Sequence, residues 1–384
     1  MIATVPPNMT SWQYHNPVAV HFGAGCVDWL PRILAGRKAT LVTFPEAAGL
    51  GLTARLERLL GASLVAIIDR TQANPDVDGL ADLYCDFWKR PDQGDILVAV
   101  GGGSVLDTAK ALMVGTADGS FEALIALLAT GKPFAPHRIK PLIAIPTTAG
   151  TGSEVTPWAT IWDRGAGKKY SLHLRETWAE AALVDPALTV SLPAGATLAA
   201  GLDALSHSLE SIWNVNANPV SDTHAVTAAR AVLATLPALV GDLDNLELRR
   251  RMSLAALQAG LAFSNTKTAL AHSISYDMTL RHGLPHGIAC SFTLPLVLAR
   301  AVGADAGRDA VLARIFDGAL ADAPALLTAF LEALGVSTRF ETYGVSEAQA
   351  AGMIEAALDG VRGRNFIGAG RAASLRPSME HAAS

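Results

Sequence analysis

Four residues in the second half of the chain have the types and spacings that hold a divalent metal. Asp203 and His207 lie four apart in Gly201-Leu-Asp-Ala-Leu-Ser-His207, inside an apolar helical pattern, so both fall on one helix face. His272 opens the stretch His272-Ser-Ile-Ser-Tyr276, and His286 sits in Pro285-His286-Gly287. Three imidazoles and one carboxylate suit a borderline cation, and catalysis there needs a further open position for a substrate oxygen. The same Asp/His spacing also describes a plain hydrogen-bonded pair, and a histidine before glycine also describes a cap. His224 and His282 are further histidines whose simplest place is the surface.

A second chemistry is anion binding by backbone. Gly101-Gly102-Gly103-Ser104 follows the apolar run 95–100 and leads into a helical segment from Val105. Amides at a helix N-terminus, unshielded by side chains, form an anion site, and a dinucleotide pyrophosphate is its natural occupant. The pattern is not GxGxxG, and by itself it also describes a tight strand-to-helix turn. Pro146-Thr147-Thr148-Ala149-Gly150-Thr151-Gly152-Ser153-Glu154 follows another apolar run and offers hydroxyls and flexible backbone. Ligands of open α/β sheets bind at the carboxyl ends of strands, so the two loops together predict a nucleotide cofactor.

The elements that must carry these residues follow from periodicity. Residues 39–44, 63–69, 95–100 and 142–146 are short continuous apolar runs, as expected of strands covered on both faces of a parallel sheet. Helical patterns lie between them at 50–60 and 77–89. Near 185–193 the pattern changes, and beyond it helical periods dominate at 197–213, 219–240 and 246–263 and onward to about Gly360. The expected fold is an α/β N-terminal dinucleotide-binding domain over 1–188, with a doubly wound, mostly parallel sheet. An all-α C-terminal metal-binding and substrate domain follows over 189–384. Residues 371–384 are expected to form a loose tail.

Bulk composition narrows the classes. Half of the 384 residues are apolar and 17% are charged, which supports two buried cores and argues against disorder. A net charge of -5 gives no general attraction to nucleic acid or to an anionic membrane. Cys26, Cys85 and Cys290 are scattered, without a disulfide framework or a CxxC metal motif. Residues 1–17 lack a secretory pattern, and no apolar run of roughly 20 residues is evident. A soluble cytoplasmic protein with small-molecule partners is expected.

At the residues quoted above, the sequence resembles the iron-containing (group III) alcohol dehydrogenases, whose fold resembles dehydroquinate synthase. Gly101-Gly-Gly-Ser104 with Asp107 and Lys110 matches that family's GGGSxxDxAK, and Pro146 to Glu154 matches its PTTAGTGSE. Asp185-Pro186, Leu192-Pro193 and Gly201 to His207 match its DPxLTxxLP and GxDAxxH stretch, and His272 with Pro285-His286-Gly287 matches its final histidine region. The resemblance spans roughly residues 15 to 300. It implies that Asp203, His207, His272 and His286 hold Fe²⁺ or Zn²⁺. It implies that Gly102, Gly103 and Ser104 take the pyrophosphate of NAD or NADP, and that Asp107 in the same motif is a further cofactor-binding residue. Thr147, Thr148 and Thr151 would line the cofactor groove, and Asn74 and Lys169 match further cofactor positions. The implied activity is hydride transfer between nicotinamide and a small alcohol or aldehyde, with a homo-oligomer as the common assembly.

Three departures from the family pattern bear on specificity. Where many relatives carry an NAD-selecting aspartate at the end of the second strand, this chain has Phe44, then Pro45 and Glu46, which leaves NADH and NADPH both open. Where many carry a second histidine four residues after the third ligand, this chain has Tyr276, either a proton relay or a pocket wall. Lys267 stands where many have a small residue, with Arg281 and His282 downstream. A basic cluster would suit an anionic substrate, while solvated side chains are the plain alternative. Lys267 is five residues from His272, which rotates it off the ligand face of an ideal helix.

The Asn265-Thr-Lys267 and His272-Ser-Ile-Ser-Tyr276 stretches resemble a subgroup linked to phosphonate metabolism, whose members reduce phosphonoacetaldehyde to 2-hydroxyethylphosphonate. Competing expectations are reduction of another small aldehyde of the lactaldehyde, 1,3-propanediol or maleylacetate type, a dehydroquinate synthase-like lyase, and a non-catalytic binding protein with a vestigial site.

Overall fold

The computed structural model describes residues 11–131 and 135–370. The expected tail at 371–384 and the first ten residues lie outside them. Six strands form one all-parallel sheet: β1 (Ala19–Phe22), β2 (Ala39–Val42), β3 (Leu64–Ile68), β4 (Ile96–Gly101), β7 (Leu142–Pro146) and β10 (Ala181–Val184), in the order β1-β10-β7-β4-β2-β3. The short strands β5 (Val114–Gly115) and β6 (Arg138–Ile139) pair antiparallel, as do β8 (Trp158–Asp163) and β9 (Lys168–His173). Four of the sheet strands are those expected from their apolar runs. β1 and β10 escape such a reading because Ala-Val-His-Phe is a half-exposed edge and Ala-Ala-Leu-Val carries little β signal.

Continuous apolarity is explained by burial on both faces. Along β4, Ile96, Val98 and Val100 enter one core with Leu30, Leu41 and Ile143, while Leu97 and Ala99 enter the other with Tyr84, Phe87 and Leu106. The chain runs from β2 outward to β3 and then crosses back to β4. The strand order therefore reverses between β2 and β4, and a crevice opens there at the carboxyl ends.

Beyond β10 a short 3-10 turn, Pro186–Thr189, leads to the helices. Ala194–Ile212, Pro219–Gly241 and Leu246–Thr266 pack together into one apolar core with the later helices Leu270–His282 and His286–Ser291. Asn218 caps the second of these through a capping box, with Pro219 at the first helical position. Pro219–Gly241 is long and apolar enough by length and composition to cross a membrane, which corrects the expectation that no such run exists. Its Ala225, Ala228, Ala229, Val232 and Leu236 are fully buried in the helical core, which accounts for the apolarity.

Candidate active site

Helix Ala194–Ile212 carries Asp203, His207 and Glu210 on one face, and all three are buried. Helix Leu270–His282 brings in His272, and helix His286–Ser291 brings in His286 at its first turn. The Oδ1 of Asp203 lies 3.7 Å from the Nε2 of His207 and 3.5 Å from the Nε2 of His272. The His207 ring stacks on Phe263 at 4.0 Å and on His272 at 4.6 Å, and His272 meets His286 edge-on at 5.6 Å. The four residues expected to hold a metal are thus brought together.

Two observations fit a cation at this point. Asp203 Oδ1 and His272 Nε2 are buried and have no hydrogen-bond partner, a costly state unless something else engages them. Burial also pushes His207 down to about 4 and His286 to about 3 against the pull of Asp203, which favours the neutral imidazole that a cation binds. The ring of His272 is fixed from behind by Glu210. The Glu210 carboxylate lies 2.6 Å from His272 Nδ1 and accepts the amides of Ala269 and His272. Burial alone would raise the pKa of Glu210, but His272 and these amides bring it below the ordinary value. That arrangement leaves Nε2 directed at Asp203.

Cys290 also stands at the cluster, which corrects its reading as a scattered thiol. One ligand atom each from Asp203, His272, His286 and Cys290 fall within 4.8 Å of one another. Cys290 follows His286 by four residues on the same helix, a spacing that could have flagged it. Glu210, seven residues after Asp203, carries the same kind of signal.

Above the cluster lies a cavity of about 1550 Å³ whose walls come from both halves of the molecule. Gly102, Gly103, Ser104, Asp107, Thr147, Thr148, Thr151, Asn74 and Lys169 all line it, together with Asp203, His207, His272, Tyr276 and His286. The glycine loop leaves β4 and enters helix Gly103–Met113. A Cβ on Gly103 would lie 2.6 Å from the Thr151 methyl, and one on Gly102 would lie 3.2 Å from the Thr148 methyl, so the two loops interlock. Asn74, in the left-handed region at φ 53, donates its amide to Ser104 Oγ.

Asp107 lines the cavity and also braces its wall. Its two oxygens accept Ser153 Oγ and the Thr160 amide, so it ties the second loop to β8. The fully buried Lys110 donates to Ser153 O, Ser153 Oγ and Trp158 O and braces the same corner.

The residues expected at the substrate divide. Lys267 lines the cavity, at the end of helix Leu246–Thr266, with Nζ 5.9 Å from the Trp158 ring. Its backbone, at φ 68 and ψ 175, lies in a region that side chains rarely adopt, and this sharp exit turns it toward the cleft despite the helical arithmetic. Arg281 and His282 do not line the cavity. Arg281 is 74% exposed and pairs with Asp277 one turn away, because the end of helix Leu270–His282 points from the cleft to solvent. The cation that does enter the site is Arg362, supplied by the segment after helix Glu347–Asp359. No spacing signal links it to residues so far away in sequence. Tyr276 sits between Lys169 Nζ, 4.0 Å from its ring centre, and the Arg362 guanidinium at 5.1 Å.

Comparison with known proteins accords with this geometry. A model described as "Iron-containing alcohol dehydrogenase" matches residues 17–186, and one described as "Fe-containing alcohol dehydrogenase family, C-terminal" matches residues 197–373. A 1,3-propanediol dehydrogenase of Klebsiella pneumoniae is 30% identical over 341 residues, 85% of this chain and 86% of that protein. A sulfoacetaldehyde reductase of Bilophila wadsworthia is 30% identical over 330 residues, 81% of this chain and 82% of that protein. Among solved structures, a sulfoacetaldehyde reductase of Bifidobacterium kashiwanohense in complex with NAD+ superposes with a TM-score of 0.86 at 29% identity, covering 96% of this chain and all of that one.

Proposed function

This chain belongs to the iron-containing alcohol dehydrogenase family, and from that premise we propose that it reduces a short anionic aldehyde with a nicotinamide cofactor, phosphonoacetaldehyde to 2-hydroxyethylphosphonate being the reading that unites its residues. The observation that carries it is one cleft lined together by a metal-type cluster, a cofactor-type loop and the cations Lys169, Lys267 and Arg362. Asp203, His207, His272 and His286 would hold the cation, Fe²⁺ or Zn²⁺, with Cys290 adjacent. When bound, such a cation supplies Lewis-acid stabilisation of negative charge on the substrate oxygen, and the nicotinamide supplies the hydride.

The chain's own residues supply position and dryness. The backbone of Gly102, Gly103 and Ser104 would take the pyrophosphate at the N-terminus of helix Gly103–Met113. Thr147, Thr148, Thr151, Asn74 and Lys169 would line the groove leading toward the cluster. Asp107 acts through Ser153 and Thr160 and holds that groove in shape. Glu46 also lines the cleft just beyond β2, where a carboxylate disfavours a 2′-phosphate, so NADH is the proposed cofactor. Burial raises the Tyr276 phenol above its ordinary value, so the hydroxyl keeps its proton and serves as a donor at the pocket wall. The α/β half would end near Leu188, and the helical half would begin at Thr189.

A second reading, sulfoacetaldehyde as the physiological substrate, is favoured by the two relatives of that name. Both readings place a tetrahedral oxyanion in the cleft. The test is a reductase assay on the metal-reconstituted enzyme with phosphonoacetaldehyde, sulfoacetaldehyde, propanal and lactaldehyde, each with NADH and NADPH. Stoichiometric oxidation of NADH with an anionic aldehyde preferred at least tenfold in kcat/KM is expected. Preference for the neutral aldehydes would remove the anionic reading. The absence of net cofactor oxidation with any aldehyde would favour a lyase.

A further inference from the structure

Three of the cations that line the cleft, Arg362, Lys169 and Lys267, stand without an ion-pair partner among the described residues. Arg362 Nε donates to Thr268 Oγ1 at 2.9 Å and Nη2 to Ser171 Oγ at 3.3 Å, both neutral hydroxyls. Among the described residues, no carboxylate lies within ion-pairing distance of Arg362, Lys169 or Lys267. The acids nearest in charge to Lys169 are committed elsewhere, Asp107 to Ser153 and Thr160 and Asp203 to the metal cluster. Burial, and secondly the neighbouring Arg362, push Lys169 down to about 7. Two cations therefore lie close to the Tyr276 ring, and the Tyr276 hydroxyl is buried there without a partner. Crowded cations and an unmet donor facing an open cavity are costly without a ligand, and an anion with several acceptor oxygens meets all three.

The distance to the metal cluster sets the size of that ligand. Tyr276 stands four residues after His272 on helix Leu270–His282. Four residues of helix rise about 6 Å. One helical turn therefore separates the residue at the cluster from the residue beside Arg362, a short reach that suits a tetrahedral oxyanion one or two carbons from the aldehyde. Resting on the anionic-aldehyde reading above, we infer that Arg362, Lys169 and the Tyr276 hydroxyl form the oxyanion-binding subsite, with Arg362 as its specificity-determining residue and the exposed Lys267 at its mouth. Arg362 is the member that offers several donors in a fixed fork, the geometry a phosphonate or sulfonate accepts.

The experiment uses the metal-loaded enzyme with NADH and the variants Arg362→Gln and Arg362→Lys, both checked for melting temperature. The ratio of kcat/KM for phosphonoacetaldehyde to that for propanal is measured. Ethylphosphonate, which lacks a carbonyl, is titrated as a binding probe, with ethanesulfonate in a parallel arm. Losing a charge-assisted contact should lower the ratio by about 30- to 100-fold in Arg362→Gln, with partial retention in Arg362→Lys. Probe binding should weaken by a similar factor, and the arm that binds more tightly identifies the oxyanion. An unchanged ratio in Arg362→Gln with phosphonoacetaldehyde still turned over would overturn the subsite alone. A wild type that reduces only propanal and binds neither probe would overturn the subsite together with the anionic reading. Should Arg362→Gln fail to fold, an unchanged ratio in Arg362→Lys overturns the subsite, because lysine keeps the charge and loses the fork.

Discussion

Glu210 touches no cavity wall, yet it decides which nitrogen of His272 faces the cluster. Its carboxylate is fully buried against Nδ1 and two amides, so Nδ1 is the nitrogen held by Glu210 and Nε2 the one turned toward Asp203. Replacing Glu210 with Gln keeps the shape and removes the charge. Metal retention against a competing chelator should fall by about 10-fold or more, with helical content unchanged. Retention equal to that of the unaltered protein would show that His272 needs no such support. Single residues were unevenly legible in the sequence. Asp203 and His207 declare themselves by their i, i+4 spacing, whereas Arg362 reaches the site from a distant segment through Thr268 and Ser171, and no periodicity predicts that encounter.

Between elements, glycines set the contacts that join cofactor loop to metal helices. A Cβ on Gly150 would lie 2.5 Å from Ala200 O, and one on Gly152 would lie 2.5 Å from the Gly260 Cα. One on Gly287 would meet Ala199 O at 1.8 Å, where helix His286–Ser291 crosses helix Ala194–Ile212. These close crossings bring His286 to Asp203 and set the PTTAGTGSE loop against both. Gly287→Ala must force the two helices apart, costing about 1–3 kcal/mol. Both the melting temperature and the metal content should fall. A loss of neither would mean that the crossing is not what assembles the ligands. The long, strongly periodic helices, the buried strands β2, β4 and β7 and the half-buried edge strand β3 were readable in advance, because burial on one or two faces writes itself into apolar spacing. The β8–β9 hairpin was not, since Lys168-Lys-Tyr-Ser171 is polar and mostly half-exposed.

At the scale of the whole molecule, a sheet with its switch point between β2 and β4 meets a helical core, and the cleft where they meet is lined by the proposed metal ligands and the proposed cofactor loops. The division into halves was legible because the apolar period itself changes near Asp185. Which surfaces of the halves would face each other was not, because that depends on side-chain contacts such as Tyr14 with the Leu261 carbonyl, Asn16 with Ser264 Oγ and Arg362 with Ser171 Oγ. The central claim is that the two halves aim a cation and a nicotinamide at one point. Anomalous diffraction at the metal edge, from crystals grown with Fe²⁺ and NAD+, tests it most directly. One strong peak per chain is expected, enclosed by Asp203, His207, His272 and His286 and facing the nicotinamide ring. A peak elsewhere, or none in fully reconstituted protein, would contradict the account.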